Sequence, residues 1–220
     1  MTPVELRVVA DAEAASQAAA ELLASAAGDV VLTGGSTPQR AYELAAAART
    51  DWSGVELWWG DERCVPPDDE RSNYRLAREA LLDHVGVVRA VHRIRGELPP
   101  PEAAAEYDAE LRGRRLELVL LGLGPDGHTA SLFPNAPALR ERERLAVAAP
   151  AGLEPFVDRV TLTVPALASA ARVVFLVTGE AKAEAARRAF AGDPDEATPA
   201  SLVRGEQTAA ILDRAAASLL

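Results

Sequence analysis

The chain has 220 residues, 49% of them hydrophobic and 25% charged, a balance that fits one α/β domain with a sizeable core and argues against disorder. Its net charge of −10 argues against a nucleic-acid binder and means that an anionic substrate must be held by a local positive pocket. The single cysteine, Cys64, rules out an intramolecular disulfide, and the chain reads as having neither a secretory leader nor a membrane span, so a cytoplasmic location is expected.

In chain order, short β-rich runs alternate with alanine-rich helical ones. Residues 6–10 read as a strand and 12–27 as a helix. Residues 30–33 form a strand that runs into Gly34-Gly35-Ser36-Thr37, and a helix follows over 38–48. Here Thr37 reads as the N-cap and Pro38 as the first helical residue. A strand over 55–59 ends in Gly60-Asp61-Glu62-Arg63, and helices follow over 73–83 and 101–112. The apolar runs 116–122 (LELVLLG) and 172–178 (RVVFLVT) read as buried strands, with a less regular one over 159–164 between them. A helix over 180–190, a strand over 208–212 and a short C-terminal helix complete the chain. Residues 93–102 and 191–199 read as surface connections, and neither divides the apolar runs into two sets. One domain over 1–220 with a largely parallel sheet is expected, and ligands of such folds bind beyond the carboxyl ends of the strands.

Four segments at those ends carry chemistry. Gly34, Gly35, Ser36 and Thr37 join a strand to a helix N-terminus, where exposed N–H groups favour an anion, although a plain capped turn would look the same. No lysine precedes the Ser-Thr pair, so this is not a nucleoside triphosphate loop. Asp61, Glu62 and Arg63 end an apolar strand and read either as site residues or as a solvated turn. In LGLGPDGHTASLF, three glycines surround Asp126 and His128. Histidine is the side chain best poised for proton transfer near neutral pH, and a carboxylate two residues away could meet it. His84 and His92 read as unremarkable, at a helix end and in a loop. Lastly, Arg159 precedes TLT, and Lys182 lies in a helix's first turn, where a bound anion would offset its conflict with the helix dipole. No zinc or calcium spacing is present.

Together these segments resemble the family of 6-phosphogluconolactonases and glucosamine-6-phosphate deaminases. The matching stretches are TGGSTP, WGDERCVPPDDERSNY, LLGLGPDGHTASLFP, DRVTLTVPAL and VTGEAKAEA, in the family's order over roughly residues 30–185. The resemblance implies a three-layer α/β/α Rossmann-like fold. It also implies hydrolysis of 6-phospho-D-glucono-1,5-lactone, no metal or organic cofactor, and a monomer. By position, His128 is implied as the catalytic acid/base, with Asp126 orienting it and Asp61 and Arg63 lining the lactone site. Gly34, Gly35, Ser36, Thr37, Gly127, Arg159 and Lys182 are implied as the substrate- and phosphate-binding set. One departure is Ala168, where the family often carries Asn.

Three other readings compete. An amino-sugar-phosphate deaminase would want an acid where Phe133 stands before Pro134. A non-catalytic sugar-phosphate sensor would be fused to a DNA-binding module. A dinucleotide oxidoreductase would want its glycine fingerprint earlier than Gly122–Gly127.

Overall fold

The computed structural model describes residues 3–151 and 156–220. The first half runs β1 (Val4–Val9), α1 (Ala12–Ser25), β2 (Gly28–Leu32), α2 (Ser36–Ala48), β3 (Trp52–Trp59), β4 (Asp61–Arg63), α3 (Asn73–Ala80), β5 (Val88–His92) and α4 (Pro100–Leu111). The second half runs β6 (Leu116–Leu121), β7 (Ala146–Ala149), β8 (Arg159–Leu162), α5 (Val164–Ala168), β9 (Arg172–Val177), α6 (Ala183–Phe190) and β10 (Gln207–Asp213).

Seven strands form one sheet in the order β1-β10-β9-β6-β2-β3-β5. Every pairing in it is parallel. From β2 the chain moves outward through β3 to β5, then returns to the other side of β2 with β6 and continues through β9 to β10. Right-handed crossovers therefore put α1, α2 and α3 on one face and the later connections on the other. The reversal between β2 and β6 opens a crevice at their carboxyl ends, the usual ligand position in an open α/β sheet. A second, antiparallel sheet, β4-β8-β7, packs against α4.

The core follows the apolar pattern. Val30, Val31, Leu57, Val119, Val174 and Phe175 are fully buried, as strands covered by helices on both faces require. The alanines of α1 and α2 also have a packing role. Ala15, Ala19, Ala41 and Ala45 are completely buried where these helices meet each other and the sheet. Two tyrosines secure strand ends near the crevice. Tyr42 Oη accepts from Thr33 N–H at 2.8 Å and donates to its carbonyl at 2.6 Å. Tyr107 Oη meets the N–H and carbonyl of Trp59 in the same way, at 2.8 and 3.1 Å.

Several local expectations change. Helix α2 starts at Ser36, with Gly35 as N-cap at φ 114°, so Thr37 is not the cap. Its hydroxyl instead meets Thr178 Oγ1 at 2.8 Å, joining the loops after β2 and β9. The expected helix over 180–190 splits into a 3-10 turn, Glu180–Lys182, and α6. Turns replace the expected C-terminal helix after β10. Strand β4 stands where a charged turn is one reading, and β5 and β7 are additional strands. His92 therefore ends a strand, where its ring stacks on Trp58 at 3.9 Å between Glu56 and Glu110. Among the described residues, no helix is long and apolar enough to cross a membrane.

Candidate active site

The four chemistry-bearing segments converge on one cleft at the carboxyl ends of β2, β6 and β9. Gly34, Gly35, Ser36 and Thr37 line one wall, Asp61, Arg63 and Arg159 a second, and His128 and Lys182 complete it. Its volume, ≈ 280 Å³, is close to the lower end of small-molecule sites, about 300 Å³. Asp126 and Gly127 do not line it. Gly127 packs behind the loop against Thr198. Ala168, the departure from the family pattern, lies in α5 away from the cleft.

The loop after β6 aims the imidazole. His128 Nδ1 meets Asp126 Oδ1 at 2.6 Å, and the same oxygen accepts the His128 N–H at 3.1 Å. Burial alone raises the Asp126 carboxyl. The His128 N–H bond and the charge of its ring outweigh that and hold the carboxyl below its ordinary range. Asp126 thus stays an acceptor, and an Nδ1–H donor leaves the Nε2 lone pair able to accept a proton. Gly124 is required by close approach, since a Cβ there would fall 2.0 Å from His128 Nδ1. Thr129 Oγ1 ties the loop to the Gly122 carbonyl at 2.8 Å, and the Phe133 ring packs 5.2 Å from the imidazole.

The small sheet aligns the cations. Arg63 and Arg159 are register partners on β4 and β8. Like charges directly opposite are unfavourable unless something negative meets them. Burial lowers the Arg159 pKa and Arg63 adds to that, while Asp61 opposes it. Arg63 donates to the Arg71 carbonyl through Nη1, and its Nε is buried with no hydrogen-bond partner among the described residues. Lys182, half-buried, is also held below its usual pKa by burial, with Asp126 opposing. Three cations and the start of α2 therefore form the local positive site that a chain of net charge −10 needs for an anion.

Two carboxylates of this region differ in role. Glu62 faces away from the cleft and accepts from Asn73 N–H, Tyr74 N–H and Ser72 Oγ at 2.7, 2.7 and 3.0 Å, holding the start of α3. Asp61 faces the cleft and is bound by Asn73 and Ser131. Asn73 is a cleft residue that the sequence reading misses, because its position in RSNY looks like the ordinary start of a helix. Cys64, beside the site, has its thiol pushed up to about 11, chiefly by burial, which suits an inert residue. Among the described residues, no group of three or more His, Cys, Asp or Glu is placed to hold a metal ion.

Residues 3–212 match the family described as glucosamine-6-phosphate isomerases/6-phosphogluconolactonase. A 6-phosphogluconolactonase of Mycobacterium tuberculosis is 39% identical over 210 residues, spanning 87% of this chain and 84% of that protein. The solved 6-phosphogluconolactonase of Trypanosoma brucei superposes with a TM-score of 0.87 at 27% identity, covering 100% of both chains. A monomeric glucosamine-6-phosphate deaminase shares the fold, with a TM-score of 0.86 at 21% identity over 99% of this chain and 100% of that one. With a match of that breadth, the chain belongs to the glucosamine-6-phosphate isomerase/6-phosphogluconolactonase family.

Proposed function

We propose that the protein hydrolyses 6-phospho-D-glucono-1,5-lactone to 6-phospho-D-gluconate, the second step of the oxidative pentose phosphate pathway. The observation that carries this reading is that His128, held by Asp126, shares one small cleft with three cations.

A lactone is an activated ester, so water can attack it without a covalent enzyme intermediate. His128 Nε2 takes a proton from a water attacking C1, while Asp126 accepts from Nδ1 and supports the charge that forms on the ring. Arg63 and the N–H groups of the loop after β6 stabilise the tetrahedral oxyanion, each good donor contributing about 3–4 kcal/mol. The imidazolium then protonates the ring oxygen as it leaves. Arg159, Lys182 and the Gly34–Thr37 turn hold the phosphate. These assignments are supported by the grouping of Arg63, Arg159 and Lys182 with the start of α2 around one cleft. One continuous core supports a single domain over 1–220, and the family resemblance leads to a monomeric enzyme. A cytoplasmic setting suits an enzyme of sugar-phosphate metabolism and completes the reading.

Phe133 weighs against the deaminase alternative. It stands before Pro134, where that branch of the family carries an acid, and its ring packs 5.2 Å from the imidazole. The test uses the pure protein with freshly generated lactone and, separately, glucosamine 6-phosphate. Rapid 6-phosphogluconate formation without ammonia release is expected. Ammonia from the amino sugar with no acceleration of lactone opening would overturn the proposal.

A further inference from the structure

Asp61 is the junction of the segments that shape the cleft. Its side chain is buried, and donors meet it from two sides. Ser131 Oγ donates to Oδ2 at 2.6 Å, and Asn73 Nδ2 donates to Oδ1 at 3.2 Å and to the Asp61 carbonyl at 2.9 Å. Ser131 is fully buried and follows His128 in the same loop. Its N–H donates to the hydroxyl of Thr161, the register partner of Asp61, at 3.2 Å. Between His128 and Ser131 the chain passes through Ala130 at φ 48°, a left-handed conformation that persists only where the surroundings impose it.

Asn73 reaches the opposite wall. It is 1% exposed, and its Oδ1 has no hydrogen-bond partner among the described residues. A Cβ on Gly34 would fall 2.0 Å from that oxygen, so the amide packs directly on the backbone of the turn after β2. Both groups met by the Asn73 NH2 are acceptors, which fixes which way the amide points.

We propose that Asn73 and Ser131 are positioning residues for lactone opening: they clamp Asp61 from two sides and so set the distance between the His128 loop and the Gly34–Thr37 turn. The inference rests on the lactonase reading of the cleft. A substrate held by its phosphate at one wall and attacked near the other is sensitive to that distance, since a misplacement of about 1 Å can cost 100-fold in rate. Neither residue needs to touch the reacting atoms.

The test is the pH profile of Asn73→Asp. The variant keeps the side-chain shape but sets a carboxyl beside Asp61. Two carboxyls sharing a site resist ionising together, so the new one donates to Asp61 only while it keeps its proton. Lactonase activity relative to wild type is expected to be within about threefold near pH 5 and to fall at least about tenfold as that proton is lost toward pH 7.5. Ser131→Ala provides a second measurement and decides alone if Asn73→Asp does not fold. Its kcat is expected to drop about tenfold with KM within about twofold, and with unchanged stoichiometry of 6-phosphogluconate binding. A merely structural role would lower the binding stoichiometry and leave the relative pH profile flat. An active wild type with a flat Asn73→Asp ratio, or with Ser131→Ala kcat within twofold of its own, overturns the positioning role alone. A wild type that does not open the lactone overturns the functional reading and this inference with it.

Discussion

The cleft is built by two sheets that contribute different chemistry. The seven-stranded parallel sheet ends in loops that bring backbone N–H groups, an imidazole and one ammonium: the turn after β2, the His128 loop after β6 and the Lys182 turn after β9. The three-stranded antiparallel sheet contributes side chains alone, Asp61, Arg63 and Arg159, brought together by the pairing of β4 with β8. Parallel strands aim their helix N-termini and glycine-rich loops at one end, which suits anion binding and close approach. An antiparallel pair instead juxtaposes residues far apart in sequence, and here it makes Arg63 and Arg159 register partners. In the proposed mechanism the proton-transfer step belongs to the first sheet and much of the charge stabilisation to the second.

Substitutions can separate these contributions. Short of removing the imidazole itself, the largest effect is expected on the parallel sheet's side, from Gly124→Ala. The added Cβ would fall 2.0 Å from His128 Nδ1, so the ring must leave its place. A fall in kcat of about 100-fold, the general acid–base contribution, is expected in a protein whose near-ultraviolet circular dichroism is unchanged. Next come the phosphate cations. Arg159→Ala and Lys182→Ala should each raise KM about tenfold while kcat stays within about threefold, because a phosphate contact is made equally in ground and transition states. Steady-state kinetics of the two variants checks this, and unchanged KM in both would remove them from the site. Inorganic phosphate should also raise the melting temperature of wild type more than that of Lys182→Ala, because a bound anion relieves the half-buried ammonium.

The smallest effect is thermodynamic. Asp126 has a depressed carboxyl pKa in the folded protein. Its contribution to stability is therefore fully present above the ordinary carboxylate value, about 3.9, and is lost as pH falls through the lower folded-state value. Melting curves of wild type and Asp126→Asn should differ near neutral pH and converge on acidification. A gap that widens toward acid would show that the Asp126 contact is not what the carboxylate stabilises.

The parallel sheet was far more legible in the sequence than the antiparallel one. LELVLLG and RVVFLVT are buried on both faces and read directly as strands, and the glycines and hydroxyls beyond the strands mark the ligand end. Of the small sheet, β8 reads as a strand over 159–164, but β4 and β7 have three and four residues, too short for a period to register, and the alanine-rich AVAA of β7 carries helix-like composition. The Arg63–Arg159 pairing is set by that tertiary register and by nothing local. The Asp126–His128 contact was legible as a possibility from its spacing, but the steric demand at Gly124 was not. Thr37 was misread as a cap because Gly35, with its positive φ, ends the extended segment first and leaves the threonine inside the helix. Asn73 and Ser131 escaped notice because each acts on Asp61, which only folding brings beside them.

The central claim is that His128 drives water onto the lactone in the cleft between these sheets. Its most direct test is a coupled assay with freshly generated 6-phosphogluconolactone, corrected for spontaneous opening, that compares wild type with His128→Ala. Rapid opening by wild type and a loss of about 100-fold or more in kcat on removing the imidazole is the expected result. A folded His128→Ala protein with turnover near that of wild type would contradict it.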